Sequence, residues 1–453
     1  MGKKHIKIDY KVLHQVEREL NSIQYKGLEI GNLLSYYFDR LYRNDYNFNW
    51  FKKILIVIYY FIKPVSKKQI LINHQKDIIY FRTGEHRHYQ NMQSALSDSA
   101  EINNKTLYIS PRNNQGIDGK VFFLSLFVDF FQTLFFLIGN FQILNRKFKP
   151  LGLPFSLKIQ ILTDLHLQLI KANSLKRFIQ LQLETKLIGA DYDRGSESSL
   201  FFAVAKAMQI PSFTFQHGVL NPPIGYSPVN ANEIWVWGEM AKKQLIKLGV
   251  SNKKIRITGT PIVQNIEITA TVREKLLHKY QIKPGKNIVL ALSSPNKPND
   301  IKLVEFFSAI KKEHANSADN FFVKIHPARK YEQYRWIKDT YNINILPHDI
   351  PYKDFMNIVD ILLTHTSGIA AEVLYYNKKV GILDILDESP GNGLELNKYF
   401  GVPLIKHTFT FRDFYNKEAP SIGKTLFYKV GAEAKTEIQD IIIKQIGKRN
   451  EFA

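Results

Sequence analysis

Cysteine is absent from the 453-residue chain, which removes any disulfide framework, thiolate metal site or cysteine nucleophile. Acidic residues are the next shortage: 41 Asp and Glu stand against 62 Lys and Arg, leaving a formal charge of +21. Such a surplus attracts nucleic acid, anionic lipid or phosphorylated substrates, and composition alone does not choose among them. Nucleic acid is the weakest of the three. The lysines are spread along the chain, no zinc-finger or RRM-type motif occurs, and most of the 31 Phe and 23 Tyr lie in apolar runs. The opening residues MGKKHIKIDYKVLHQVEREL lack the uninterrupted apolar core of a secretory signal, so a cytoplasmic protein is expected. Solenoid-period repeats and low-complexity tracts are missing too. At about 150 residues per domain, and with 45% apolar residues, two or three packed domains are expected. Collagenous and wholly disordered classes are excluded.

Apolar runs able to cross a bilayer are scarce. Residues 121–139, VFFLSLFVDFFQTLFFLIG, are long enough but carry Ser125, Asp129, Gln132 and Thr133 near the middle. A carboxylate at bilayer centre costs roughly 2.5–3.5 kcal/mol, so no span is expected there. The run ILIVIYYFI at 54–62 is too short to cross as a helix. Lys52, Lys53, Lys63, Lys67 and Lys68 flank this run, and Lys120, Arg146 and Lys147 flank the longer one. Basic flanks beside apolar surface suit peripheral attachment to an anionic leaflet, and burial in a large core is the alternative for each.

What is plentiful is alternation between strand and helix periods. DIIYF, KTLYIS, TKLIGADYD, PSFTFQHG, EIWVWG and KIRITGTP read as strands, separated by helical stretches such as ESSLFFAVAKAMQI and MAKKQLIKLGV. A breaker at Pro284-Gly285 precedes a second series, NIVLALSS, FFVKIHP, INILP, ILLTHT and KVGILDI, again with helices between. This pattern predicts an α/β fold of two Rossmann-like, doubly wound domains facing a central cleft. The expected boundaries are residues 1–265 for an acceptor-side domain with extra helices, 266–430 for a donor-binding domain, and 431–453 for a C-terminal helix packing back on the first.

Ligands of such sheets bind beyond the carboxyl ends of the strands. There the first half offers Asp191, Asp193 and Glu197, then Gln216-His217-Gly218, then Gly238-Glu239 and Gly259-Thr260-Pro261. The second offers Ser293 and Ser294, then Lys324 and His326 with Arg329, then Thr366, Ser367 and Gly368 with Glu372 further along. Phosphate- and sugar-binding groups dominate this set. Hydroxyls and a glycine just before a helix expose free amides to an anion, although Thr366 or Ser367 serves equally as a plain helix cap. Glu372 reaches towards ribose hydroxyls or stays a structural carboxylate. His326 is locked by Pro327 and accompanied by two cations, which favours phosphate contact over a core role. His217, beside a glycine, can act as base, acid or phosphate donor, or can simply fix the following loop. Asp191 or Asp193 can deprotonate an acceptor hydroxyl, or merely cap the next helix.

AKAMQIPSFTFQHGV, the Pro-rich loop after it, EIWVWGE, KKQLIKLGV and KIRITGTP resemble the GT-B glycosyltransferases of bacterial surface-polysaccharide assembly. KIHP and HTSG are similar to the His-Pro and Ser/Thr motifs of bacterial sialyltransferases, capsule Kdo transferases and CDP-glycerol polymerases, and the likeness covers roughly residues 186–385. It implies that His326, Thr366 and Ser367 hold a nucleotide phosphate. It also implies that an acid of the first domain acts as base, but ADYDRG departs from the sialyltransferase acidic-acidic-glycine motif through Tyr192 and Arg194. His217 competes for that role because CDP-glycerol polymerases carry a comparable His-Gly.

The implied reaction is inverting transfer of a sugar, with a CMP-linked sialic acid or Kdo donor expected, to a surface polysaccharide or glycolipid. No metal-ligand spacing such as HExxH occurs, and metal independence is expected. Alternatives are a CDP-polyol phosphotransferase, a UDP-sugar 2-epimerase and a non-catalytic membrane-associated scaffold.

Overall fold

A computed structural model of the protein describes residues 8–42, 76–82, 87–110, 126–182, 184–218, 220, 225–292, 297–314, 318–326, 329–387, 390, 392–419 and 426–450. The run at 54–62, Lys52, Lys53, Lys63, Lys67, Lys68, Lys120, Ser293, Ser294 and Pro327 lie outside these residues.

The described chain begins with helices α1 (Tyr10–Leu20) and α2 (Ile30–Tyr42) around a hairpin of β1 (Gln24–Tyr25) and β2 (Leu28–Glu29). Its two-residue turn places both Lys26 and Gly27 at positive φ, 51° and 82°, the backbone that matches the strands' twist. Short apolar runs then form β3 (Ile78–Phe81), β4 (Thr106–Ile109), β5 (Leu187–Ala190), β6 (Ser212–Phe215), β7 (Glu233–Val236) and β8 (Ile255–Ile257). They pair in the order β4-β3-β5-β6-β7-β8, every pairing parallel. β3, β5 and β6 are buried at each residue, as expected where helices cover both faces.

The second sheet holds β9 (Asn287–Ala291), β10 (Asn320–Lys324), β11 (Asn344–Ile345), β12 (Ile361–Thr364), β13 (Lys379–Leu383) and β14 (Leu404–Ile405), also all parallel, in the order β11-β10-β9-β12-β13-β14. Winding reverses between β3 and β5 in one sheet and between β9 and β12 in the other. The doubly wound α/β expectation therefore holds for both.

Three cores follow from the two-residue side-chain period of the strands. Ile79, Phe81, Ile188 and Val236 face one core with α1, α2, α4 (Leu126–Lys147), α5 (Phe155–Leu181) and α6 (Ser196–Ala207), while α3 (Arg87–Ser97) packs on the opposite face. Their neighbours Ile78, Tyr80 and Phe213 face a core that continues into Val289, Phe322 and Leu362 of the second sheet. Ile288, Leu290 and Leu363 face the third, against Val304 and Phe307 of α7 (Lys297–Glu313). Gly189 is required by the second core: a Cβ there would lie 2.4 Å from the Phe213 ring, which stacks on Trp235 at 4.0 Å.

Near its C-terminus the chain returns to the first sheet. Tyr428 donates its amide to the Trp237 carbonyl at 2.8 Å, and Thr260 donates to the Lys429 carbonyl at 2.9 Å. The last helix described, Gly431–Asn450, buries Ile438, Ile442 and Ile446 in the second core with Met92 and Leu96 of α3. Gln439 Nε2 donates to the Ala95 carbonyl at 3.0 Å. Among the described residues no helix is long and apolar enough to cross a membrane.

Candidate functional site

At the reversal of the second sheet the three relevant strands end level with one another. Lys324 of β10 pairs with Ala291 of β9, and so does Thr364 of β12 from the other side. Leu292 donates its amide to the Lys324 carbonyl at 3.0 Å, and the Thr364 hydroxyl donates to the Ala291 carbonyl at 2.9 Å. The segments carrying Lys324 to His326 and His365 to Gly368 thus leave the sheet on either side of β9, at the place where doubly wound sheets bind ligands.

The side chains there differ in freedom. His326 is exposed, and its carbonyl accepts the Arg329 amide at 2.9 Å. Lys324 is half-buried, with Nζ 5.5 Å from the centre of the Phe355 ring. Arg329 lies near the Asp300–Tyr334 pair, joined at 2.6 Å; its positive charge partly offsets the burial that pushes the Asp300 carboxyl up.

Helix α8 (Ile369–Tyr375) has Gly368 at its N-cap position, where no side chain is present to bond the first amides. Thr366 and Ser367 are half-exposed. The Ser367 amide donates back to the Thr364 hydroxyl at 3.2 Å. Glu372 is buried within α8. His365 is buried too, and its Nδ1 lies 2.8 Å from the Leu383 carbonyl, which requires Nδ1 to carry the proton.

The first sheet presents its candidates after β5 and β6, which are neighbours. Asp191 follows β5 directly, is fully buried, and lies close enough to Tyr80 that its charge adds to the burial pushing that hydroxyl well above its ordinary value. Asp193 is also buried, and its two oxygens accept the amides of Asn230 and Ala231 at 2.8 and 2.9 Å. It holds the loop before β7. Of Asp191, Asp193 and His217, the candidates for the base, only His217 is part-exposed.

Two tyrosines that the sequence pattern did not single out define the His217 setting. Tyr226 stacks on its ring at 4.8 Å between centroids, and Tyr192 meets it edge-on at 4.4 Å. The Tyr226 hydroxyl donates to the Gly218 carbonyl at 3.0 Å and accepts the Gly218 amide at 2.9 Å, which fastens the His-Gly turn to the loop after it. Tyr192 reads in sequence only as an interruption of the acidic motif. Gln216 staples β6 to β7, its Oε1 accepting the Trp237 amide at 3.0 Å.

Arg194, the other departure from that motif, is wholly buried. Nε and Nη2 donate to Asp39 at 2.9 and 3.0 Å, while Nη1 and Nη2 donate to the two Glu17 oxygens at 3.0 Å each. The guanidinium therefore ties α1 and α2 to the loop that carries Asp191 and Asp193. Burial pushes the Glu17 carboxyl up, but the charge and hydrogen bonds of Arg194 together with His14 hold it below the usual carboxylate range. Among the described residues no three His, Asp or Glu side chains gather as a metal site.

No protein-family model matches the chain, and no curated protein matches it in sequence. Solved structures do resemble it in shape. The UDP-N-acetylglucosamine 2-epimerase of Rickettsia bellii superposes with a TM-score of 0.50 at 14% identity, over 82% of this chain and 98% of that one. The UDP-GlcNAc 2-epimerase of Neisseria meningitidis gives 0.47 at 13%, over 81% and 99%. The wall teichoic acid polymerase TagF gives 0.46 at 10%, over 89% and 99%. At these identities the likeness concerns fold: the chain has the two Rossmann-like domains of the GT-B type.

Proposed function

We propose that the protein is an inverting glycosyltransferase that moves a sugar from a nucleotide-activated donor to a hydroxyl of a surface polysaccharide or glycolipid. The observation that carries this reading is the level ending of β9, β10 and β12, which sets Lys324 and His326 on one side of the sheet reversal and Thr366 and Ser367 on the other. Cations and hydroxyls so grouped suit a phosphate whose negative charge grows as it leaves. A CMP-linked donor, sialic acid or Kdo, is supported by the KIHP and HTSG resemblance alone.

His217 is the base in this proposal, because Asp193 is occupied with two amides and Asp191 is fully buried. Its imidazole takes the proton of the acceptor hydroxyl. The acceptor oxygen then bonds to the anomeric carbon from the face opposite the phosphate, the bond from that carbon to the phosphate oxygen breaks, and its electron pair leaves on the phosphate beside His326 and Lys324.

Thermal shifts with CMP, CDP, UDP and GDP test the donor side, since a nucleotide at a hundredfold excess over its Kd adds about 2.7 kcal/mol to the folded state. A cytidine nucleotide should give the largest shift. His326→Ala should remove that shift with the fold intact, and His217→Ala should keep it while losing transfer. A fully active His326→Ala enzyme ends the proposal. So does a ³¹P spectrum showing phosphate in the polymer product, or a UDP-sugar converted without acceptor.

A further inference from the structure

Helix α4 carries large apolar side chains on opposite sides, yet only one of those sides is covered. Asp129, Thr133, Leu137 and Leu144 are buried against the protein, whereas Val128, Phe131, Phe135 and Ile138 point away, with Phe135 and Ile138 68% and 63% exposed. At 100° per residue the two sets lie on opposite sides of the helix. The start of α5 exposes two more large apolar side chains, Phe155 at 67% and Ile159 one turn later. Soluble surfaces rarely leave this many large apolar side chains together without a partner.

Within the α4–α5 segment itself the surface charge has one sign. From residue 126 to 181 the only acids are Asp129 and Asp164, and both are buried. Asp129 is turned inward to Arg177 and Asn173. The end of α4, the bend after it and the first turn of α5 carry Arg146, Lys147, Lys149 and Lys158. Arg146 and Lys149 make no ion pair among the described residues, and Lys147 reaches Glu19 at 3.2 Å.

We infer that this face of α4 and the start of α5 rests on an anionic lipid surface, the phenylalanines and isoleucines entering the headgroup boundary and the bend's cations meeting lipid phosphates. The two features are what such binding combines, buried apolar area and attraction to negative headgroups. A second copy of the chain fits less well, because a two-fold pairing of this face would set like charges against each other. The inference is independent of the reaction proposed above.

Cosedimentation of the full chain with vesicles of phosphatidylcholine containing about 30% phosphatidylglycerol, and with phosphatidylcholine alone, tests it. Binding should be at least about tenfold tighter to the anionic vesicles and should weaken with salt. Phe135→Ser combined with Ile138→Ser should reduce binding about tenfold or more without moving the thermal midpoint, since both side chains are mostly exposed. Arg146→Glu with Lys149→Glu should reduce binding and flatten its salt dependence. Tryptophan emission of a Phe135→Trp variant should shift to the blue on anionic vesicles. Absence of wild-type binding, equal binding by the serine variant, or conversion of a dimer to a monomer by those serines in light scattering would each overturn it.

Discussion

Asp193 is a carboxylate whose surroundings pull in two directions. Burial pushes its pKa up from 3.8 to about 6, while the Asn230 and Ala231 amides and the Arg194 charge pull it back. Between those two pH values the folded protein keeps a proton that the unfolded chain has released. Stability from this group is therefore present at the acid end and falls as pH rises from 3.8 to about 6. Asp193→Asn stays neutral throughout. Urea midpoints followed across that window should move in the variant's favour as pH increases, and parallel curves for variant and wild type would refute the assignment. The same residue illustrates what local pattern conceals: an acid after a strand reads as a base candidate until its amide partners, in a loop 37 and 38 residues away, are known.

Among the elements, the strand ends were legible and their fastenings were not. KIRITGTP shows a strand running into a glycine turn, but not that Gly259, at φ +82°, passes the backbone of a segment near the far end of the chain. A Cβ on Gly259 would lie 2.2 Å from the Lys429 carbonyl oxygen. Gly249 has nearly the same backbone, φ +86°, and no atom within 4 Å of such a Cβ. Gly249→Ala should cost about 1 kcal/mol for the left-handed backbone alone, and Gly259→Ala about 2 kcal/mol more for the collision. Equal losses in urea unfolding would show that the approach of residues 428–430 contributes nothing. The apolar run at 121–139 is a parallel case. The run is plain in the sequence, and its described part lies in the helix Leu126–Lys147, but which side faces water depends on α5 and the N-terminal helices packing beneath it.

For the whole molecule, the second core is the decisive feature, because it is shared by residues of both sheets and by the last helix. Ile438 is fully buried there. Ile438→Ala should lower stability by about 2–5 kcal/mol, as cavity-forming core truncations do. Hydrogen exchange should then rise together in α3 and in β9 and β12, since the cluster behaves as one cooperative unit. Loss of protection confined to residues 87–104 would show instead that the helix secures only its nearest neighbour.

By itself the amino-acid order determined the alternation of strands and helices, the restart after Pro284-Gly285 and the rim positions at which Lys324, His326, Thr366 and Ser367 emerge. Each of these depends on neighbours within a few residues, through side-chain period and turn chemistry. Tertiary structure alone decided that Arg194 would be enclosed by Glu17 and Asp39, 177 and 155 residues away in the chain, that Tyr226 would seat His217, and that one side of α4 would stay uncovered. Those outcomes turn on which surfaces meet across long stretches of chain, and a buried charge or an exposed phenylalanine is settled by the element that does or does not lie over it.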